Sequence, residues 1–369
     1  MNNVYFVGGD YMGCNYLRCW LPALHNGWNY NFRGIGRNSK VPVERTLEEL
    51  KYAEVISFHR PENIQHHKAA IGLKQQAIAE GRDVKIVFDN DDTFELDKDH
   101  PYFSSEQLSK EELQKRLEQK QNLLNNFILN ADLVTTTTEY LAKEYRKINK
   151  NVVVLPNCVD PDDWAEEPQR YIGSKVRIGF TNSVAYEQDY QVIEDLIREL
   201  DADDRVQVVL FALDKKENRW KDLRTTRTFR EEYKFWDSLK NLEHIEWVEM
   251  EDYMDTLDDL QLDICLIPRK ESRTNKAKSN LKFLECGMLE IPVIASKFED
   301  GPYNDDIDGE NGILVENDPV KWKEAVYKLI NDKELRRSMG KKAKEYTLKH
   351  FHIKDHYHKW EEAFNKLTQ

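Results

Sequence analysis

From Asp263 to Ser296 the chain reads DICLIPRKESRTNKAKSNLKFLECGMLEIPVIAS, and this run decides the fold. Ile264, Cys265, Leu266 and Ile267 form an apolar, strand-like stretch that stops at Pro268. A loop follows in which Arg269, Lys270, Arg273, Lys276, Lys278 and Lys282 stand against one acid, Glu271. Ser279 and Asn280 lead into a helical pattern of Leu281, Phe283, Leu284 and Met288, and the run closes on a buried-type strand, IPVIAS. Strand, basic loop, helix start and strand is an arrangement that holds a phosphate group. The unpaired N–H groups and dipole of the helix start favour an anion, and the lysines add point charges. Glu285, one turn into the helix, is suited to accept hydrogen bonds from the two hydroxyls of a ribose. The bland alternative is a surface loop before a core helix of an ordinary α/β domain.

These residues resemble the nucleotide-sugar site of GT-B glycosyltransferases, particularly the retaining group called family 4. Its consensus ends in an "LEAMA-x-G-x-P-V-V-A-S" run, matched here by Leu284-Glu285-Cys286-Gly287-Met288 and Ile291-Pro292-Val293-Ile294-Ala295-Ser296. One departure stands out. The family carries a second glutamate eight residues before the ribose-binding one, and this chain has Ala277 there.

The resemblance implies an α/β chain of the GT-B type: two Rossmann-like doubly wound parallel-sheet domains with a cleft between them. The first would span 1–165 and bind an acceptor, with a C-terminal helix, 347–369, packing back on it. The second, 174–346, would bind a nucleoside diphosphate sugar, with UDP-sugar favoured, and without a metal. The implied reaction moves a sugar to an acceptor hydroxyl, on a glycan or a lipid-linked glycan. Three alternatives stay open on the same scaffold. One is a DNA glycosyltransferase acting on hydroxymethylated pyrimidines, whose phosphate backbone Arg18, Arg33, Arg37 and Arg60 would meet. The others are a sugar-nucleotide 2-epimerase and a non-catalytic nucleotide-sugar binder.

Composition sets bounds on these readings. A chain of 369 residues accommodates two domains with full cores, and a hydrophobic fraction of 40% reads as globular. No run reaches the length of a membrane span, and MNNVYFVGGD reads as a strand rather than a signal peptide. The five cysteines, Cys14, Cys19, Cys158, Cys265 and Cys286, are scattered without CxxC spacing, so a reducing, cytoplasmic setting is expected. A net charge of −13 argues against broad adhesion to nucleic acid or anionic lipid.

Short apolar strands alternate with helical patterns along the chain, which predicts parallel sheets. Strands are expected at Val4–Val7, Ala53–Pro61, Val84–Asp92, Ala131–Thr137 and Val152–Asp160. The first is followed by a glycine-rich turn ending in Gly13, and a helical pattern then runs from Tyr16 to Leu24. By resemblance, that turn lies against the donor sugar and acceptor; Arg18, on the helix that follows, either faces the cleft or is a surface arginine. A capping box is expected at Ser109–Glu112. The "PNGVD" segment that ends the family's first domain is matched by Pro156-Asn157-Cys158-Val159-Asp160, and a polar linker runs from Pro161 to Gly173. Lys175–Ser183 opens the second unit, with further strands at Val206–Phe211 and His244–Trp247. A charged helical insertion lies between Leu213 and Asn241, and the tail after Val315 is expected to be helical, ending in a long stretch from Ala343 to Leu367.

Lys278, Ser279, Asn280, Leu281, Lys282 and Glu285 make the strongest candidate group. Fixed cations and helix N–H groups stabilise a departing nucleoside diphosphate, and Lys278 takes the catalytic share. Arg269 and Lys276 are second choices for the same anion. By resemblance, Thr181, Asn182 and Ser183 contact the diphosphate from the opposing loop, and the backbone near Met250 meets the nucleobase. Asp89, Asp91 and Asp92 end a strand, and three readings compete for them: a metal site, a catalytic or sugar-orienting role with Asp91 or Asp92 as general base, and simple turn carboxylates. His59 either touches the acceptor or caps a turn. His352 and His356, four apart in the tail, have chelating spacing but no supporting ligands.

Overall fold

The computed structural model describes residues 3–8, 13–31, 50–61, 64–93, 95, 97, 109–181, 188–213 and 227–368. Arg33, Arg37, Asn182, Ser183 and the first part of the expected insertion lie outside the described residues.

Among the described residues the strands form two wholly parallel six-stranded sheets. The first contains β1 (Val4–Val7), β2 (Asn29–Asn31), β3 (Val55–His59), β4 (Lys85–Asn90), β5 (Leu133–Thr136) and β6 (Val152–Val154) in the order β2-β1-β3-β4-β5-β6. The second contains β7 (Val176–Thr181), β8 (Val206–Phe211), β9 (Glu243–Ile245), β10 (Ile264–Ile267), β11 (Val293–Lys297) and β12 (Ile313–Glu316) in the order β12-β11-β10-β7-β8-β9. Every residue of β3 and β7 is buried, as expected of central parallel strands covered on both faces. The fold class read from the sequence is the one observed.

Helices fill the crossovers. Lys110–Asn130 opens on the expected capping box, Ser109 and Glu112 bonding reciprocally, and buries Leu113, Leu124, Phe127 and Ile128. Leu281–Met288 packs on Lys333–Phe351 so closely that a Cβ on Gly287 would stand 2.5 Å from Thr347 Oγ1. The end of the expected insertion is the helix Arg227–Asp237, whose Phe235 and Trp236 are buried in the second core. The edge strands β2 and β12 were not expected. Asn29-Tyr30-Asn31 has no apolar run, and Ile313–Glu316 straddles the start of the stretch expected to be helical.

The tail also needs correction, because the expected helix from Ala343 to Leu367 is broken. Lys333–Phe351 ends, a turn covers Ile353–Asp355, and His358–Asn365 follows. The break comes from pairing with Val159. Its N–H donates to Phe351 O, its carbonyl accepts from Ile353 N, and His352 is thereby held extended. His352 and His356 therefore do not share a helix face. Beyond the break, Ile353, Trp360 and Phe364 are buried with Val4, Phe6 and Leu17 of the first sheet's layer. No helix among the described residues is long and apolar enough to cross a membrane.

In each sheet two adjacent strands are not consecutive in the chain: β1 beside β3, and β7 beside β10. Ligands bind parallel sheets in the crevice outside such switch points, beyond the carboxyl ends of the strands. Among the described residues, Gly8, Arg60–Pro61 and Pro268–Asn280 leave those ends.

Candidate active site in the groove between the sheets

The basic turn after β10 is built on a buried amide. Asn275 Nδ2 donates to Asp189 Oδ1 at 2.9 Å and to Lys270 O, while its Oδ1 accepts from Arg269. Arg269 also pairs with Asp189 at 3.3 Å, and Lys276 pairs with Glu271 at 2.7 Å. The charges of these two second-choice cations are thus engaged within the second domain. Thr181 closes β7, buried, with Oγ1 3.9 Å from Cys265 Sγ.

From Ala277 onward the turn faces the first domain. Ala277 is fully buried in that domain's core beside Val7, Phe58 and Phe88. Lys278 Nζ lies 2.8 Å from Asp92 Oδ2, beyond the end of β4. Ser279 Oγ accepts from Asn157 Nδ2 at 3.1 Å, and Arg273 reaches Glu95 at 2.9 Å while its own N–H donates to Asp97. Asn280 turns its side chain to Asp306 rather than to its own helix, which starts without a side-chain cap. The first N–H groups of Leu281–Met288 are therefore not occupied by a capping side chain, the condition for holding an anion. Leu281 packs on the apolar layer of the first domain.

One turn on, Lys282 Nζ donates to Glu285 Oε2 and to Tyr253 Oη, and Tyr253 Oη donates to the same carboxylate oxygen at 2.9 Å. Burial disfavours the Lys282 cation, but Glu285 and Tyr253 outweigh it and hold the ammonium charged. Tyr253 belongs to the helix that Met250 begins. A Cβ on Gly13 would sit 3.6 Å from Met250 Sδ, so two expected site residues from different domains meet across the groove.

The strand ends of the first domain carry a buried charge network. Arg18 is fully buried and donates to Asp89, to Leu155 O and to Asn157. The expectation that Arg18 faces the cleft, or a phosphate backbone, is overturned. Its helix is wound one residue wider at Tyr16–Trp20, and the guanidinium runs inward over Trp360. Asp89 also takes His59 Nδ1 at 2.8 Å and the Thr135 hydroxyl at 2.6 Å. Burial alone would raise the Asp89 pKa, yet Arg18 and His59 bring it to about 2. Asp91 is clamped by Arg60 at 2.5 and 2.9 Å, and these charges overcome burial to hold it far below the carboxylate range. Such an acid is a poor general base.

His59 is 2% exposed and neither caps a turn nor presents its ring to the surface. Its Nε2 has no hydrogen-bond partner among the described residues and stands 3.8 Å from Asp91 Oδ1. Arg60 occupies left-handed backbone, φ 45°, an arrangement costing on the order of 1–2 kcal/mol that concentrates at functional loops. Of the three strand-end acids, only Asp92 addresses the opposite domain. Sequence reasoning missed Asp306 and the pairing roles of Tyr253 and Asn157. Asn157 stands in the Pro156–Asp160 motif and Tyr253 ends the loop from Trp247 expected near the nucleobase, whereas nothing local marked Asp306.

No family model matches the chain, and no curated protein matches it in sequence. Solved structures do match it in three dimensions. Sucrose-phosphate synthase from Thermosynechococcus elongatus superposes with a TM-score of 0.67 at 14% identity, covering 100% of this chain and 99% of that one. HepE from Anabaena, solved in complex with UDP-glucose, gives 0.66 at 11% identity over 99% and 100%. A glycosyltransferase from Rickettsia africae gives 0.65 at 11% identity over 100% and 99%. The architecture is the GT-B fold.

Proposed function

We propose that the protein is a GT-B glycosyltransferase that moves a sugar from a nucleoside diphosphate sugar to an acceptor hydroxyl. The observation that carries this reading is the position of the turn Lys278–Asn280. It leaves the switch point of the second sheet and meets the strand ends of the first across the groove. In this reading the β-phosphate of the donor lies at the helix start, against the N–H groups of Asn280, Leu281 and Lys282, with Lys278 beside it. As the glycosidic bond breaks, the departing diphosphate gains negative charge. Fixed N–H donors and an ammonium stabilise that charge in the transition state. Because the protein supplies the cations, the reaction is expected to proceed without a divalent metal. Glu285 accepts the ribose hydroxyls, and the opening of the helix at Met250 lies near the base. The fold shared with HepE, solved with UDP-glucose, supports a UDP-sugar as donor.

Ala277 supports a departure from the retaining family 4 pattern. The position that carries a glutamate there is sealed in the first domain's core and holds an alanine, which has no group to bind a sugar hydroxyl. Asp92 is the acid that remains beside Lys278, and it is our candidate for orienting the reacting sugar or the acceptor hydroxyl. A glycan or lipid-linked glycan acceptor fits better than DNA, since Arg18 is buried and Arg60 is clamped by Asp91.

The test is calorimetry with a panel of nucleoside diphosphate sugars, followed by product release with and without a chelator. Lys278→Ala is expected to depress turnover by on the order of tens- to thousands-fold. Absence of binding to every activated sugar would refute the reading. Release that stops in chelator would refute its metal-independent part.

A further inference from the structure

We propose that Asp92 is an internal competitor for the nucleoside diphosphate, contending with the β-phosphate for the Lys278 ammonium and so hastening release of the spent diphosphate. The inference rests on the glycosyltransferase reading of the groove and assigns Asp92 a role in regulating that site.

The argument starts from the cation. A lysine ammonium is a point charge with three donors on a flexible stem, able to exchange one anion for another by rotation. Lys278 is joined to Asp92 at 2.8 Å, and the two side chains are 29% and 23% exposed. Solvent screens such a pair, so it is weak enough to be exchanged. Lys282 differs, since two partners, Glu285 and Tyr253, hold it. A carboxylate left behind by Lys278 also keeps a cationic neighbour, because Arg60 Nη2 stands 3.9 Å from the same Asp92 oxygen.

The neighbouring contacts follow the same logic. Glu95 and Asp97, just after Asp92, hold the side chain and N–H of Arg273 at the other end of the turn. An acidic segment of the first domain thus engages the turn that the second domain offers to an anion. A diphosphate that takes Lys278 displaces Asp92, and Asp92 regains the lysine as the diphosphate departs.

Calorimetry of the full chain with UDP, GDP, ADP and dTDP identifies the diphosphate bound, and its monophosphate serves as control. Asp92→Asn is expected to tighten the diphosphate by about three- to fivefold, the upper range of one partly exposed ion pair, and to leave the monophosphate unchanged. Asp92→Glu keeps the carboxylate and is expected to bind within about twofold of the parent protein. Asp92→Ser repeats the test should asparagine disturb the strand end. In a Lys278→Ala background the gain from Asp92→Asn should vanish. Unchanged or weaker diphosphate binding by both Asp92→Asn and Asp92→Ser overturns the competition, as does a gain that persists without Lys278. Failure of the parent protein to bind any diphosphate would instead sink the underlying reading.

Discussion

Lys282 Nζ and Glu285 Oε2 lie 2.9 Å apart on successive turns of one short helix, in a site 24% and 10% exposed. On a solvated helix such a pair contributes only a few tenths of a kcal/mol. Here the acid also carries the Tyr253 hydroxyl, and the three groups form a unit that orients the start of the proposed donor site.

Glu285→Gln removes the charge that compensates a largely buried ammonium. We expect a loss of about 1–3 kcal/mol in urea unfolding, below the cost for a fully sealed pair, together with weaker nucleoside diphosphate sugar binding. Stability equal to that of the parent protein would mean that Lys282 finds water instead.

Arg18 and Asp89 form a sealed pair, with side chains 0% and 2% exposed. Arg18→Met strands the Asp89 carboxylate with only His59 and Thr135. The expected loss is about 3–5 kcal/mol, measured by denaturant titration. A loss under about 1 kcal/mol would show that the network can be neutralised, for instance by protonation.

Glu232 is buried beside Trp236, whose Nε1 donates to it at 3.2 Å. Burial pushes its pKa up to about 8, with the nearby Asp189 adding to the effect. In the unfolded chain the value is about 4.3. The folded state therefore holds the extra proton between these values, and the contribution of Glu232 to stability is lost as pH rises through 8. Subtracting the stability curve of Glu232→Gln from that of the parent protein should leave a difference that falls from pH 5 to pH 8. A flat difference would place the proton elsewhere.

Gly340 lies inside the helix Lys333–Phe351, where propensity favours alanine by about 1 kcal/mol. A Cβ there would stand 1.9 Å from Glu290 O, a backbone atom with little freedom to yield. Gly340→Ala should lower the melting temperature, with a loss of about 1–3 kcal/mol from overpacking. A rise would mean that the helix shifts to make room.

Much of the architecture is set by local patterns. The apolar runs of β3, β4, β7, β8 and β10 are sealed on both faces, and a strand buried that way has little choice but Val, Ile, Leu and Phe. The capping box at Ser109 and Glu112 needs only neighbours three apart, and it is found where the sequence places it. The helix from Leu281 with Glu285 one turn in was legible for the same reason. Direction was not. Lys276 has its partner Glu271 five residues away, but nothing near Arg269 in the chain announces that Asp189 engages it, because that contact is set by the packing of separate strands. Arg18 reads as a surface residue until Asp89, seventy-one positions on, is brought beside it. The tail reads as one helix because helical spacing is local, and only the distant Val159 competes for its backbone at His352. Sequence by itself determined the strands other than β2 and β12, their parallel class and the cationic helix start, since each follows from residues a few positions apart. The tertiary structure alone decided which charges face the groove, because a charge's partner is chosen by distance in space, and Asp92 meets Lys278 from 186 residues away.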